Sequence, residues 1–253
     1  MGDSLLKVYP EQFAVLTLNR PHKLNAVSKT MIHELIEQIN EIEQTHEMKF
    51  LIVTGSGNKA FCSGGDLNDF HGDLEEEEAY QTLKPMQEIL YKIATLPVPT
   101  IAWLNGLARG GGLEIASACD FRFAVPEENF GFIQGKLGIS TGWGGGTLLY
   151  RRIDTQLAFQ WLIEADLKKS DELLKMGFVQ KIVNDRSISS DNKLLEPYLN
   201  RSADQMRLWK SQRLKYIDLD QLKQQMDDEV RACSRLWVSN EHKQAVQQFL
   251  SKK

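Results

Sequence analysis

The chain has 253 residues, 42% of them hydrophobic and 25% charged, with a formal net charge of -4. That length allows one large domain or two small ones around a sizeable core, and the absence of a basic block argues against nucleic acid or an anionic membrane as partner. Three scattered cysteines (Cys62, Cys119, Cys233), five histidines without ligand spacing, no stretch of transmembrane length and no apolar signal core at the N-terminus speak against disulfides, zinc, a membrane anchor and secretion, and for a reducing cytoplasm.

FAVLTL at 13–18 reads as a buried strand stopped by Asn19-Arg-Pro21. After the loop HKLNAVS, Met31, Ile32, Leu35, Ile36, Ile39 and Ile42 recur at helical spacing, which predicts a helix over 29–44. A second buried strand at 50–54 closes on Gly55-Ser-Gly57. Strand, helix, strand in this order implies a parallel crossover and an α/β class. The glycine pair is not a dinucleotide fingerprint, because Ala60 stands where the third glycine is required.

Residues 58–67 read as a loop in which Gly64 and Gly65 free the backbone for close approach, with a helical segment starting near Asp66-Leu67. Glu75 to Glu78 suit the solvated first turn of a helix that continues over 80–94, disturbed at Pro85. A third buried strand at 100–104 leads into Gly110-Gly111-Gly112, and residues 113–119 have the spacing of a buried helix. A glycine run feeding a helix presents free N–H groups at the positive end of the helix dipole, a device for holding a phosphate or an oxyanion. Glu114 sits in the first turn facing those groups. On the residues alone, a functional acid beside an anion hole and an acid that merely complements the dipole are both open readings.

Short strands are expected at 121–124 and 130–133, and helices at 148–152, 155–164 and 170–176, the last capped by Ser170 and stopped by Gly177. Residues 178–183 read as a returning strand. From about Leu194 to Leu250 the text is charged and amphipathic, which predicts a C-terminal helical layer whose apolar stripe packs on its own core or on a neighbouring subunit. Gly138-Ile-Ser-Thr-Gly142 matches the GxSxG nucleophile elbow, so Ser140 is a candidate hydrolase nucleophile, with His242 the one histidine after it. The stretch before it, Gln134-Gly-Lys-Leu, is a poor strand, and a glycine loop explains the pattern better.

With these pieces in place the chain resembles the crotonase superfamily, the enoyl-CoA hydratase/isomerase fold, over nearly its whole length. LNRPHKLNAVS is similar to that family's first coenzyme-A loop, KAFCSGGDL to its first oxyanion loop, NGLARGGGLEIASACDFRFA to its second, and FGFIQGKLGI to the segment that carries the second catalytic acid. The resemblance implies a spiral of β-β-α units over 1–195 and a helical trimerisation region over 196–253, assembled as a homotrimer or a dimer of trimers. It implies an acyl-CoA substrate, coenzyme A being part of that substrate, with no metal or redox cofactor. Carried over, the oxyanion donors are Gly65 and Gly111, beside Gly64. Lys23, Leu24 and Ala26 border the CoA nucleotide, and Asp66, Leu67 and Asn68 line the pantetheine path.

Hydration in that family uses two glutamates on one water, since a base must activate the water and an acid must protonate the α-carbon. Glu114 matches the first, and Gln134 stands at the second. A glutamine exchanges no proton at neutral pH, so simple hydration should be crippled. The loop after it, with Trp143 able to shape the acyl pocket, resembles ethylmalonyl-CoA decarboxylase more than the usual hydratase. A non-catalytic acyl-CoA-binding subunit is the remaining alternative.

Overall fold

Ser4–Tyr9 (β1) pairs antiparallel with Phe13–Leu18 (β2) at the edge of the larger of two sheets in a computed structural model that describes residues 2–70 and 74–251. The side chains of Leu67, Asn68, Phe249 and Leu250 lie outside that description, as does His71. The chain continues through Lys29–Gln44 (α1), Phe50–Gly55 (β3), Ala60–Cys62 (β4), Leu67–Phe70 (α2), Glu76–Thr95 (α3), Thr100–Leu104 (β5), Leu107–Arg109 (β6), Gly111–Ala118 (α4), Phe121–Ala124 (β7) and Asn129–Gly131 (β8). There follow Gly145–Leu149 (α5), Thr155–Glu164 (α6), Lys168–Lys169 (β9), Ser170–Lys175 (α7), Lys181–Ile182 (β10), Glu196–Leu199 (α8), Ala203–Leu214 (α9), Leu219–Trp237 (α10) and Asn240–Leu250 (α11).

The large sheet runs β1-β2-β3-β5-β7-β10 and the small one β4-β6-β8-β9. Each β-β-α turn sends its first strand (β3, β5, β7) to the large sheet and its second (β4, β6, β8) to the small one, both sets parallel. This is the spiral the resemblance implies. Of the small sheet, periodicity misses β4 and β6, which have three residues each, too few to show a pattern; β4 lies in the stretch read as a loop, and no element was expected at β6. The edge strand β1 was likewise not expected; a turn with Gln12 at φ 67 folds it back onto β2.

Alternation along the large sheet divides the core in two. Ala14, Leu16, Leu18, Leu51, Val53, Ala102 and Leu104 face the helices α1 and α3, while Phe13, Val15, Phe50, Ile52, Ile101, Trp103 and Phe123 face Leu195, Tyr198 and Met206. A strand buried on both faces must be apolar throughout, which is why β2, β3 and β5 read as continuous runs. The C-terminal segment therefore covers the second face of its own sheet. Beneath it Lys210, 3% exposed, reaches Asp120 at 2.6 Å.

Several boundaries differ from the sequence reading. α3 runs through Pro85 without a break and starts at a capping box between Glu75 and Glu78. Lys169 rather than Ser170 is the N-cap of α7, and only 181–182 of the returning stretch forms a strand. The helix expected over 148–152 lies three residues earlier, at Gly145–Leu149, because glycines that disfavour a helix locally are held there by tertiary contacts described below.

Candidate active site

α4 is buried from end to end between the two sheets, and the acyl-binding candidates gather at its N-terminus. Gly110 takes φ 52, a backbone state costly for a residue with a Cβ, and turns β6 into the helix. Its amide donates to Gly131 O, and its carbonyl accepts from Leu113 and Glu114. Gly111, as first residue of α4, has an N–H with no acceptor inside the helix. Gly64, at φ 102, packs backbone to backbone against this turn: a Cβ there would lie 3.4 Å from Gly111 N.

The first glycine pair is set by the loop at residues 20–28. Val27 N donates to Gly64 O and Asp66 N to Val27 O, a parallel bridge centred on Gly65. In that register the Gly65 N–H faces away from Val27. Ser63 N donates to Leu24 O, and the Arg20 guanidinium ties both loops by donating to Ala26 O at 2.8 Å and pairing with Asp66 at 2.7 Å. The structure thus brings Leu24, Ala26, Gly64, Gly65, Asp66 and Gly111 into one cluster. Lys23 and Leu24 are exposed at its rim, while Ala26 is buried. The side chains of Leu67 and Asn68 lie outside the described residues.

Two aromatic rings roof the two glycines. A Cβ on Gly65 would meet the Phe70 ring at 3.2 Å, and one on Gly111 would overlap the Trp143 ring at 2.1 Å. The rings stand 5.9 Å apart. Trp143, expected from the sequence to shape an acyl pocket, packs against Gly111; the contact of Phe70 with Gly65 was not anticipated.

Glu114 lies beneath them, 2% exposed. Its Oε1 accepts from Gln134 Nε2 at 2.9 Å and Gly142 N at 3.3 Å, and its Oε2 from Trp143 N at 2.8 Å and Gly145 N at 3.0 Å. Burial and the nearby Glu229 carboxylate raise its pKa to about 7, against the pull of the three backbone donors. The Gln134 side chain is buried with it, and Gln134 Oε1 has no hydrogen-bond partner. A lone buried acceptor of that kind is a place for a donor on a ligand or water.

Ser140 is not in an elbow. A 3-10 turn, Gln134–Leu137, precedes it where the motif needs a strand, and its hydroxyl donates to Thr141 O at 3.0 Å. The His242 Nδ1 contacts Leu137 O at 2.6 Å instead. Gly55-Ser-Gly57 is structural too, since a Cβ on Gly55 would lie 2.4 Å from the carbonyls of Ala60 and Phe61. Among the described residues no cluster of His, Cys, Asp and Glu is arranged to hold a metal ion, and no helix is long and apolar enough to cross a membrane.

The second residue that the sequence hid is Glu229 on α10. It accepts from Gly146 N at 3.1 Å and from Thr147 N and Oγ1, each at 2.7 Å. The sole signal for it is an acid beside the apolar stripe Leu222, Met226, Val230 and Cys233.

Residues 9–253 match the family model for enoyl-CoA hydratase/isomerase. A crotonyl-CoA hydratase from Syntrophomonas wolfei is 32% identical over 96% of this chain and 93% of its own. An ethylmalonyl-CoA decarboxylase from Gallus gallus is 34% identical over 78% of this chain, and the match spans 62% of that protein. In fold, the chain superposes on the crystal structure of an enoyl-CoA hydratase from Bacillus halodurans with a TM-score of 0.84, at 24% identity, over 97% of this chain and 99% of the other.

Proposed function

The chain belongs to the enoyl-CoA hydratase/isomerase family, and from that premise we propose that it decarboxylates a short malonyl-type acyl-CoA, of the methylmalonyl or ethylmalonyl kind. The thioester oxygen sits between the N–H groups of Gly65 and Gly111. The bond from the α-carbon to the carboxylate breaks, its electron pair forms the enolate, and the two donors stabilise the oxygen as it gains charge. Carbon dioxide leaves, and the α-carbon takes up a proton from Glu114.

The observation that carries this reading is the pairing of Glu114 with Gln134. Hydration needs an acid and a base together, whereas decarboxylation generates the enolate without a base and needs one proton donor. A glutamate raised to about 7 is substantially protonated at neutral pH. The Phe70 and Trp143 rings add a second support. A carboxylate against them is poorly solvated, and losing it as neutral carbon dioxide relieves that cost.

Hydration of a short enoyl-CoA is the second reading. It is favoured by the end-to-end similarity to the Syntrophomonas hydratase and by the unpartnered Gln134 Oε1, which could accept from the attacking water. Exposed Phe159 and Ile163 on α6 and Leu236 on α10 support assembly with further copies of this chain.

Carbon dioxide release from ethylmalonyl-CoA, followed at neutral pH, tests the proposal. Turnover that falls about 100-fold or more in Glu114→Gln is expected for loss of the proton donor. Absence of release from any malonyl-type thioester by the wild-type protein contradicts it.

A further inference from the structure

The loop that carries Trp143 is gripped from two sides. On the α4 side, Glu114 takes the amides of Gly142, Trp143 and Gly145. On the α10 side, three positions spaced along one helix face meet the rest of the loop. A Cβ on Gly144, which sits at φ 85, would lie 2.5 Å from Met226 Cε, and one on Gly142 would lie 2.8 Å from Cys233 Sγ. Between them Glu229 holds the amides of Gly146 and Thr147 and the Thr147 hydroxyl. Glu229 is the charged member of this face and its strongest link to the loop, because hydrogen bonds to an ionised acceptor exceed neutral ones.

We infer that Glu229 is a positioning residue for acyl-chain selection: by anchoring the end of the loop on α10 it keeps the Trp143 ring over Gly111, where the ring limits the size of the acyl group. The inference rests on the reading that an acyl thioester binds at Gly65 and Gly111. The Trp143 ring abuts Gly111 so closely that a Cβ there would overlap it, and Phe70 closes the other side. A longer acyl chain therefore requires the Trp143 ring to swing out. Glu114 alone restrains the loop only as far as Gly145. Without Glu229 two consecutive amides lose their acceptor and the Thr147 hydroxyl keeps only the longer contact to Gln225 O at 3.4 Å, and the loop gains the freedom to carry the ring away.

Glu229 acting only as an N-terminal cap of α5 would make a different prediction. Loss of a cap lowers stability and leaves substrate preference alone. The test is therefore a preference. The ratio of kcat/KM for short against longer acyl-CoA thioesters is measured for the wild type, Glu229→Gln, Trp143→Ala and the double variant. Glu229→Gln should move the ratio about 10-fold toward the longer chain, the size expected for a lost charged hydrogen bond. Trp143→Ala should move it at least as far. The double variant should match Trp143→Ala, since one residue works through the other.

A second readout needs no turnover. Acrylamide quenching of Trp143 fluorescence, taken as the difference from Trp143→Phe, should increase in Glu229→Gln. If Glu229→Gln does not fold, Thr147→Val, which deletes one bond to the carboxylate, serves for both measurements. A lowered melting temperature with unchanged ratio and unchanged quenching overturns the inference. If the wild type turns over no thioester at all, the functional reading fails and chain selection with it, while increased quenching in Glu229→Gln still establishes the loop anchor.

Discussion

Gln134 donates its amide N–H to Glu114 Oε1 across 2.9 Å, both side chains buried. In the proposed reading this carboxyl and the neutral amide bonded to it stand where a hydratase would use two acids. The pair cannot pass a proton between its members, so it suits a reaction with one proton transfer. The substitution Gln134→Glu should restore the missing group. Two carboxyls in contact share a proton, because like charges so close cannot both ionise. Hydration of crotonyl-CoA, read from loss of the enoyl absorbance, should then rise about 100-fold over the wild type, the lower end of what a positioned acid or base contributes. A rate no higher than wild type counts against Gln134 as the block.

The pH dependence should report Glu114. Its ordinary value is 4.5 and burial lifts it to about 7. In decarboxylation the protonated form is the active one, so kcat should be level below pH 7 and fall as pH rises through it. In hydration the ionised form would be the base, and kcat would fall as pH drops. Stability carries the same sign. The folded state binds the proton more tightly than the unfolded one, so the contribution is fully present below about pH 4.5 and is lost as pH rises through about 7. Urea titrations should show wild-type stability relative to Glu114→Gln declining between pH 5 and pH 8, by about 1–3 kcal/mol at roughly 1.4 kcal/mol per unit. A difference independent of pH would show that Glu114 is not lifted.

Gly111→Ala should remove the site by its own side chain. The new Cβ would overlap the Trp143 ring at 2.1 Å, and that ring is confined by Phe70 and by the loop amides on Glu114. Overpacking of this kind costs about 1–3 kcal/mol. Displacing one oxyanion donor costs about 100- to 1000-fold in kcat. Chemical denaturation and thioester turnover on the same preparation separate the two effects. Wild-type turnover in Gly111→Ala would mean that the thioester does not sit there.

Those contacts also mark the limit of what sequence alone could disclose. Glu114 and the two glycine clusters at 64–65 and 110–112 were singled out because each lies in a short segment whose residue types have a local physical meaning, whereas Gln134 and Trp143 were singled out by the family resemblance alone. The buried runs of β2, β3 and β5 were legible because both faces of the sheet are covered. Phe70 and Glu229 were not, since their meaning arises only on contact: Glu229 is 82 residues from Thr147 along the chain. The same cause misplaced α5. Glycines at 142 and 144–146 suggest a loop, but Glu114 accepts the amides of Gly142 and Gly145 and Glu229 that of Gly146, and a helix starts there.

Asp120 and Lys210 join the end of α4 to α9 at 2.6 Å, with both side chains under 5% exposed. Burial works against the Asp120 charge, but Lys210, Arg152 and Arg213 outweigh it and hold the carboxyl below its usual range. Lys210→Met should therefore cost about 3–5 kcal/mol, the penalty for removing one partner of a buried pair. Urea midpoints check this, and a loss under about 1 kcal/mol would show that Arg152 and Arg213 suffice.

Mass spectrometry of the wild-type protein incubated side by side with ethylmalonyl-CoA and crotonyl-CoA tests the central claim most directly. Loss of carbon dioxide from the first, with the second left unchanged, is the predicted result. Addition of water to crotonyl-CoA, abolished in Glu114→Gln, with ethylmalonyl-CoA left intact, would contradict it and make Glu114 the base of a hydratase that works without a second acid.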